Sequence, residues 1–313
     1  MSTVQTDEER ELEQLRGRLK HSDRLPSLPK KGKRLEWRFD AYKDLLQRLG
    51  HGDGMAEVIE VARRDFVDLA NASGDPRGYL RARAKAQNIV VDELDAANLP
   101  TRAAILYIVG AYQQLEGFLK ELVDEVDETC SRNSRDRRDK EAALDWALDV
   151  LPGGATRNTR RIWQERYEVL EYYRTVRNAF THKVKQGTLD AAFSRAEAWR
   201  PIIDADLRLS APNPFDSLSF DDFLLFTRMI KYVATDLCRL ARPTRAEIAE
   251  HAERVLDGPG KFRHWNWETV SRERAVASIA THYSRRHLFD FCSEPQLLDE
   301  IVDQQFSKFD RQA

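Results

Sequence analysis

Two arginines, an asparagine and a histidine gather on one face of a helix predicted for residues 166–183, RYEVLEYYRTVRNAFTHK. On a helical wheel of about 100° per residue, polar side chains occupy one arc and apolar side chains the opposite side. The polar arc consists of Glu171, Arg174, Arg177, Asn178, Thr181 and His182. The predicted core face consists of Val169, Tyr172, Tyr173, Val176, Ala179 and Phe180. A solvated helix face usually mixes Lys, Glu and Gln, so the composition of the polar arc suggests a chemical role.

These residue types suit the cleavage of a phosphodiester bond. An arginine donates two parallel hydrogen bonds to phosphate oxygens and keeps its charge at physiological pH. A histidine takes or gives a proton near neutral pH. Attack of a ribose 2′-hydroxyl on its own phosphate needs these two functions, and no metal ion or cofactor. A plainer alternative also fits the spacing, in which Arg177 and His182 are solvated or ion-paired surface side chains.

The sequence VRNAFTH at 176–182 resembles the R-x4-6-H signature of the HEPN superfamily, the higher-eukaryote and prokaryote nucleotide-binding domain, including an Asn directly after the Arg. The flanking sequence is similar too. In that family the motif follows a long early helix and precedes a final helix, and AAILYIVGAYQQLEGFLKELVDEV and FDDFLLFTRMIKYVATDLCRL look like those two helices. The resemblance covers roughly residues 100–242.

The resemblance implies a fold and an activity. Many members are metal-independent endoribonucleases of toxin–antitoxin, anti-phage or CRISPR-linked systems, and others are catalytically silent binding or dimerisation modules. We therefore expect an all-α protein with a HEPN-like helical bundle and helical N- and C-terminal extensions. Its expected substrate is RNA, such as tRNA or mRNA, and its expected state is a homodimer whose two motifs form one cleft. A silent RNA- or protein-binding module in a larger assembly is the alternative.

The resemblance also implies roles for the motif residues. Arg177 would stabilise the phosphorane-like transition state. His182 would transfer a proton or orient the scissile phosphate, and Asn178 would position the phosphate or the histidine. Arg174 lies one turn before Asn178 and is not part of the signature, so its supporting role, like those of Thr181 and Glu171, rests on geometry alone.

Glu116 stands in the middle of the apolar stripe of the helix predicted for 101–130. A carboxylate that faces a core needs a partner, because an unpaired buried charge is very costly. We expect Glu116 to pair with an arginine or hydroxyl of the motif helix, or else to reach solvent at the edge of the bundle. A third possibility is a helical scaffold in which the polar arc forms salt bridges with Glu171 and Glu116.

Basic residues at 132–138 and 157–166 could follow an RNA backbone, although interspersed acids fit a solvated surface equally well. Trp163, Tyr167 and Leu170 project on the side of the polar arc and could stack on bases or pack a dimer interface.

Helical periodicity dominates the chain. A charged helix is predicted at 1–20 and a basic linker at 21–34. Helices are predicted at about 35–49, 55–72 and 77–97, and GHGDG and SGDP are predicted as the breaks between them. The later predicted helices are 101–130, a short helix that ends near 151–154, 158–183 and 219–241. Proline-bearing loops are predicted between the last two. About three more helices follow, the first with a capping box of Thr244 and Glu247. The predicted regions are 1–99, 100–242 and 243–313.

Composition sets limits on the class of protein. The chain has 313 residues, 42% hydrophobic and 33% charged, with a formal net charge of -2, so any nucleic-acid site must be a local patch. Three distant cysteines offer no close pair for metal ligation. No signal core or membrane span is recognisable. We expect a cytoplasmic protein without metal or membrane attachment, with a neutralising or sensor protein as a possible partner.

Overall fold

The computed structural model describes residues 37–91, 98–258, 262 and 265–310. Within these ranges the regular structure consists of twelve α-helices and two short 3-10 helices, with no strand, so the predicted all-α class is confirmed. None of the helices in these ranges is long and apolar enough to cross a membrane. The helix predicted at 1–20 and the linker predicted at 21–34 lie outside the described residues.

The helices are numbered here in chain order. They are α1 (Asp40–Ala72), α2 (Pro76–Ala86), α3 (Leu99–Cys130), α4 (Ala143–Val150), α5 (Gly154–Thr159), α6 (Gln164–Thr181), α7 (Gln186–Glu197), α8 (Arg200–Leu207), α9 (Phe220–Leu240), α10 (Arg245–Asp257), α11 (Arg272–His287) and α12 (Pro295–Asp310).

The described residues divide into two compact units, and each unit combines several stretches of chain. The first unit contains residues 46–115 and 163–232, and the second contains 37–45, 116–162 and 233–310. The motif helix α6 belongs to the first unit. The regions predicted from the sequence, 1–99, 100–242 and 243–313, stay predictions.

The core of the first unit is an aromatic cluster contributed by α3, α6 and α9. Phe226 of α9 lies at its centre, with its ring centroid 6.4 Å from that of Tyr112 and 5.1 Å from that of Tyr173. Tyr172 contacts Phe193 of α7 at 5.5 Å, which packs α7 against the motif helix. All of these tyrosines are buried, as the apolar periodicity of α3 and α6 predicts.

A buried carboxylate fixes the motif helix to the start of α9. Asp222 is fully buried and accepts a hydrogen bond from the Tyr173 hydroxyl at 2.9 Å. It also accepts the backbone N–H groups of Asn213 and Ser219, each at 2.8 Å. Burial raises the pKa of the Asp222 carboxyl, while these hydrogen bonds favour its charged form. The neighbouring Tyr172 hydroxyl donates to the Asn213 carbonyl, so two consecutive tyrosines hold α6 to the start of α9 and to the loop that precedes it.

The second unit contains the predicted capping box and a second aromatic cluster. The Thr244 hydroxyl accepts the Glu247 N–H at 3.3 Å, and the Glu247 carboxylate accepts the Thr244 N–H at 2.7 Å, so the capping box is confirmed. α12 packs against both α10 and α11. The Trp37 ring stacks on His287 with centroids 4.3 Å apart.

The predicted break at GHGDG is wrong, because α1 continues through residues 50–54 without interruption. Glycines weaken a helix interior by about 1 kcal/mol each, but tertiary packing offsets that cost here. Leu49 and Ala56 are buried on either side, and Asp53 forms an ion pair with Lys231 at 2.6 Å. The break predicted at SGDP is correct, since α2 begins at Pro76 and the Asp75 carboxylate accepts the Gly78 N–H at 3.0 Å.

Three other predicted boundaries differ from the structure. The helix predicted for 158–183 is two helices, because buried Asn158 donates its side-chain amide to the carbonyls of Leu148 and Leu151 and the chain turns before Gln164. The loops predicted between 183 and 219 contain α7 and α8. α2 ends at Ala86, eleven residues before the predicted end at 97, of which 92–97 lie outside the described residues.

Candidate functional site

The motif residues lie at the C-terminal end of α6. Arg177 and Asn178 are half-buried in its last turn, whereas Thr181 and His182 are exposed. His182 is the first residue beyond the helix, with extended backbone angles of φ -140 and ψ 163, and its N–H donates to the Asn178 carbonyl at 2.7 Å. The helix therefore ends two residues before the predicted Lys183. The direction of the His182 side chain is set by this cap and not by the helical wheel.

Arg177 is oriented by an aromatic ring and by its neighbour in sequence. Its guanidinium carbon lies 5.4 Å from the centroid of the Tyr112 ring, within the range of a cation–π interaction. Its Nη1 donates to the Asn178 side-chain oxygen at 3.1 Å. Because Tyr112 is itself buried and stacked on Phe226, the guanidinium rests on a fixed layer of the core. A guanidinium carries five N–H donors, so the bond to Asn178 is compatible with binding a phosphate.

The other arginine of the polar arc is bound to a carboxylate on the same helix. Arg174 Nε and Nη2 donate to the two oxygens of Glu171 at 3.0 and 2.7 Å. This pair contributes little net charge, and the carboxylate would repel a phosphate placed beside it. Thr181 turns its hydroxyl back to the Arg177 carbonyl at 3.0 Å and so closes the last turn. The supporting roles expected of these three residues stay predictions.

Glu116 accepts a hydrogen bond from Arg137 Nη1 at 3.2 Å, and its side chain is partly exposed. Both residues belong to the second unit, whereas the motif helix belongs to the first. The expected pairing of Glu116 with the motif helix stays a prediction.

Phe180 departs from the predicted core face. Val169, Tyr172, Tyr173 and Val176 are fully buried as predicted, but Phe180 is 41% exposed. The residues that pack on α6 therefore cover Val176 and leave Phe180, in the last turn, partly open to solvent. An exposed phenyl ring thus lies within the motif, two residues from Asn178 and two from His182.

Arginines of the 132–138 segment are engaged within the second unit. Arg132 forms an ion pair with Glu247 at 2.5 Å. Arg135 forms ion pairs with Glu141 and Asp149, each at 2.6 Å. Glu141 has its pKa lowered to about 2, chiefly by Arg135, so it stays charged at neutral pH. These pairs favour a charged protein surface over a track for RNA.

The basic and aromatic residues at the start of α6 also form internal contacts. Arg166 is buried, and its guanidinium lies 5.6 Å from the Trp163 ring and 5.0 Å from the Tyr232 ring. Leu170 is buried as well, so it is a core residue and not part of an outward aromatic surface. Of the predicted outward group, Trp163 and Tyr167 are half-buried.

The surface that remains at the end of α6 is cationic. Lys183 and Lys185 are exposed lysines that closely follow exposed His182, and α7 starts directly after them at Gln186. With Arg177, this surface can attract and orient a phosphate group.

The contact between Arg177 and the Tyr112 ring was not predicted from the sequence. The position of Tyr112 in an apolar stripe predicts that it is buried, but it does not indicate which side chain packs on its ring.

The described residues contain no group of three or more His, Cys, Asp and Glu side chains that could hold a metal ion. Comparisons with protein-family models, with curated protein sequences and with solved structures found no match, so the assignment of a function depends on the chemistry of these side chains.

Proposed function

We propose that this protein is a metal-independent endoribonuclease of the HEPN type, which cleaves RNA by attack of a 2′-hydroxyl on the adjacent phosphate. The observation that carries the proposal is the position of Arg177. It lies on the buried Tyr112 ring at the end of α6, five residues before the exposed His182. A defence or toxin role follows from the motif resemblance.

In this proposal the scissile phosphate binds at the C-terminal end of α6. Arg177 donates hydrogen bonds to the non-bridging oxygens and stabilises the charge that develops on them in the transition state. The Asn178 side chain bonds to Arg177 and keeps the guanidinium oriented toward the phosphate. As the 2′-oxygen bonds to phosphorus and the bond from phosphorus to the 5′-oxygen breaks, His182 takes the proton of the 2′-hydroxyl or gives one to the departing 5′-oxygen, with water as the other proton partner, or it orients the phosphate. Lys183 and Lys185 attract the neighbouring phosphates.

Exposure of Phe180 supports the dimeric part of the proposal. A single exposed phenyl ring is unremarkable by itself, but this ring lies within the motif and on the same helical turn as Asn178. Contact of this turn with its copy in a second protomer would bury both rings and bring two motifs to one cleft. Phe180→Asp should then convert a dimer to a monomer in light-scattering measurements and lower cleavage.

The test is cleavage of total cellular RNA in EDTA by the wild type, His182→Ala and Arg177→Ala. Two matched controls each remove one exposed side chain of the same type from the same unit, His51→Ala on α1 and Arg195→Ala on α7. We expect the wild type and both controls to leave 2′,3′-cyclic phosphate ends at the same sites. The two motif variants should lose cleavage while keeping helical circular dichroism and thermal stability.

Two results would count against the proposal. Equal cleavage by His182→Ala and wild type would refute the assigned site. Absence of cleavage with retained RNA binding in a gel shift, for a folded wild-type dimer, would favour the catalytically silent binding module.

A further inference from the structure

An apolar stripe runs along the exposed side of α1. Met55 is 65% exposed, Ile59 46% and Leu69 57%. Together with exposed Ala62 and half-buried Phe66, these residues are spaced by four, three, four and three positions, which is the repeat of a coiled-coil seam. The α1 stripe is defined as Met55, Ile59, Ala62, Phe66 and Leu69. It is centred about 100° around the helix from the buried side of α1, so it is a second apolar face.

A groove adjoins the N-terminal half of the α1 stripe. A cavity of about 250 Å³ lies between α1 and α3, lined by Met55 and Ile59 on one side and by Leu106 and Gly110 on the other. Its apolar lining includes Leu106, an exposed residue, and the cavity is smaller than the roughly 300–1,000 Å³ typical of small-molecule sites. It is of a size to receive one or two apolar side chains.

Met55 and Ile59 belong both to the groove and to the α1 stripe, so the two form one continuous apolar surface. Contiguous surfaces of this kind mark interaction sites. The seam spacing indicates that the occupant is a helix with apolar residues on a three–four repeat.

We propose that residues 7–20 of this same chain bind the α1 stripe as an antiparallel helix. These residues lie outside the described part of the structure, and their sequence predicts a charged helix. Leu12, Leu15 and Leu19 are spaced by three and then four positions, which matches the repeat of the α1 stripe. Leu19 would contact the Met55 end and enter the groove, and Leu12 would contact the Phe66 end.

The connecting chain is long enough for this arrangement. Eighteen residues lead from Leu19 to Trp37, and they span up to about 60 Å when extended. The distance along α1 from Asp40 to Leu69 is only about 44 Å. The connection contains Pro26 and Pro29, which disfavour continuation of a helix.

Charge selects the antiparallel orientation. The segment 7–13, DEERELE, carries five acidic residues and one arginine. α2, whose sequence is PRGYLRARAKA, carries four cations and no acid, and those cations are exposed. α2 follows the C-terminal end of α1 after a three-residue turn, and the Phe66 ring contacts Tyr79 at 5.9 Å. An antiparallel helix places 7–13 beside α2, whereas a parallel helix would place its basic half, RGRLK at 16–20, there.

The proposal is independent of the proposed nuclease, so its test needs no RNA. Full-length protein carrying Cys292→Ser, which removes the exposed thiol, serves as the parent, since Cys130 and Cys238 are buried. Leu15→Cys is combined with Ala62→Cys or with Ile59→Cys, which covers two neighbouring registers. The control combines Leu15→Cys with Asp68→Cys, which lies about 140° around α1 from the centre of the stripe. Diamide oxidises each pair of thiols to one disulfide with loss of two hydrogen atoms.

We expect an intramolecular disulfide in at least one stripe pair, formed roughly tenfold faster than in the control pair, because only facing cysteines meet the geometry of the bond. Mass spectrometry of the tryptic digest identifies the linked peptides. Circular dichroism of the reduced variants shows whether they are folded like the parent.

Three outcomes would overturn the proposal. A covalent dimer, including one formed by Ala62→Cys alone, would make a second copy the occupant of the stripe. Equal rates in the stripe and control pairs would show that the contact is unspecific. A folded stripe variant without a disulfide would show that residues 7–20 lie elsewhere.

Discussion

Two buried histidines of the second unit should make the protein sensitive to mild acid. Burial lowers the pKa of His287 to about 3 and that of His251 to about 4, from an ordinary value of 6.5. The His287 ring is stacked on Trp37, and its Nε2 is buried without a hydrogen-bond partner among the described residues. His251 Nδ1 bonds to the Tyr283 hydroxyl at 2.8 Å. Within the described part of the chain, no carboxylate is among the charges that shift either pKa, so nothing there stabilises an imidazolium.

The magnitude follows from the difference in protonation between the folded and unfolded chain. Because both pKa values are lower in the folded chain, the unfolded chain binds more protons as the pH falls below 6.5. Stability is therefore complete above pH 6.5 and is lost as the pH decreases. Between pH 7.5 and pH 5.5 the protonation of each ring lowers the unfolding free energy by about 1.35 kcal/mol, and the pair lowers it by about 2.7 kcal/mol. Nearby Arg254 and Arg286 act in the same direction as burial.

Urea unfolding followed by circular dichroism at the two pH values measures this loss. His287→Phe keeps an aromatic ring against Trp37 and cannot bind a proton, so it should reduce the loss by about half. Other titrating groups, such as half-buried Glu125, whose pKa is raised by burial, are present in both proteins and cancel in the comparison. An equal loss of stability in wild type and His287→Phe would refute the assignment of this acid sensitivity to His287.

Three further predictions follow from the first unit. Asp222→Ala leaves the hydrogen-bond donors of Tyr173, Asn213 and Ser219 without an acceptor. The unfolding free energy, measured in urea, should therefore fall by about 3 kcal/mol or more. The control Asp216→Ala, at an exposed position, should change it little. Gly50→Ala and Gly54→Ala should each raise the unfolding free energy by about 0.5–1 kcal/mol. Both glycines are helical, and an added methyl group meets no atom within 4 Å. An unchanged unfolding free energy would show that GHGDG is not helical in solution. Tyr112→Leu should slow the proposed RNA cleavage by roughly 2- to 30-fold, because it removes the cation–π contact with Arg177. Tyr112→Phe keeps an aromatic ring and should not slow cleavage. Equal cleavage rates in the two variants would argue against a role of that contact.

Periodic apolar spacing and local capping were enough to predict the main helices. α3 and α9 match their predicted limits within about two residues, because their apolar residues recur on one face over many turns. The capping box of α10 was predicted because all of its donors and acceptors lie within four consecutive residues. Such features depend on near neighbours in sequence, which a single sequence displays directly.

Features that depend on distant residues were missed. The glycines of GHGDG read as a break, and the Lys231 side chain that holds Asp53 in the helix lies 178 residues away. The Asn158 bonds that divide the predicted motif helix join it to carbonyls at the end of α4. At the candidate site, the sequence predicted the polar arc, but neither the Tyr112 ring beneath Arg177 nor the exposure of Phe180. A helical wheel gives the direction of a side chain and not how far the neighbouring helices extend.

The two ends of the motif differ in how firmly the fold holds them, and this difference bears on the proposed mechanism. The rotation of α6 is fixed by the Tyr173 bond to buried Asp222, and Arg177 is further held on the Tyr112 ring. The guanidinium is thus oriented before any phosphate binds, which is the condition for electrostatic stabilisation of a transition state. His182 lies past the helix end with an exposed side chain, so under the proposed function its productive orientation would come from the RNA or from a facing protomer. Under the proposed function, cleavage should therefore depend on dimer concentration even where RNA binding by Arg177 does not.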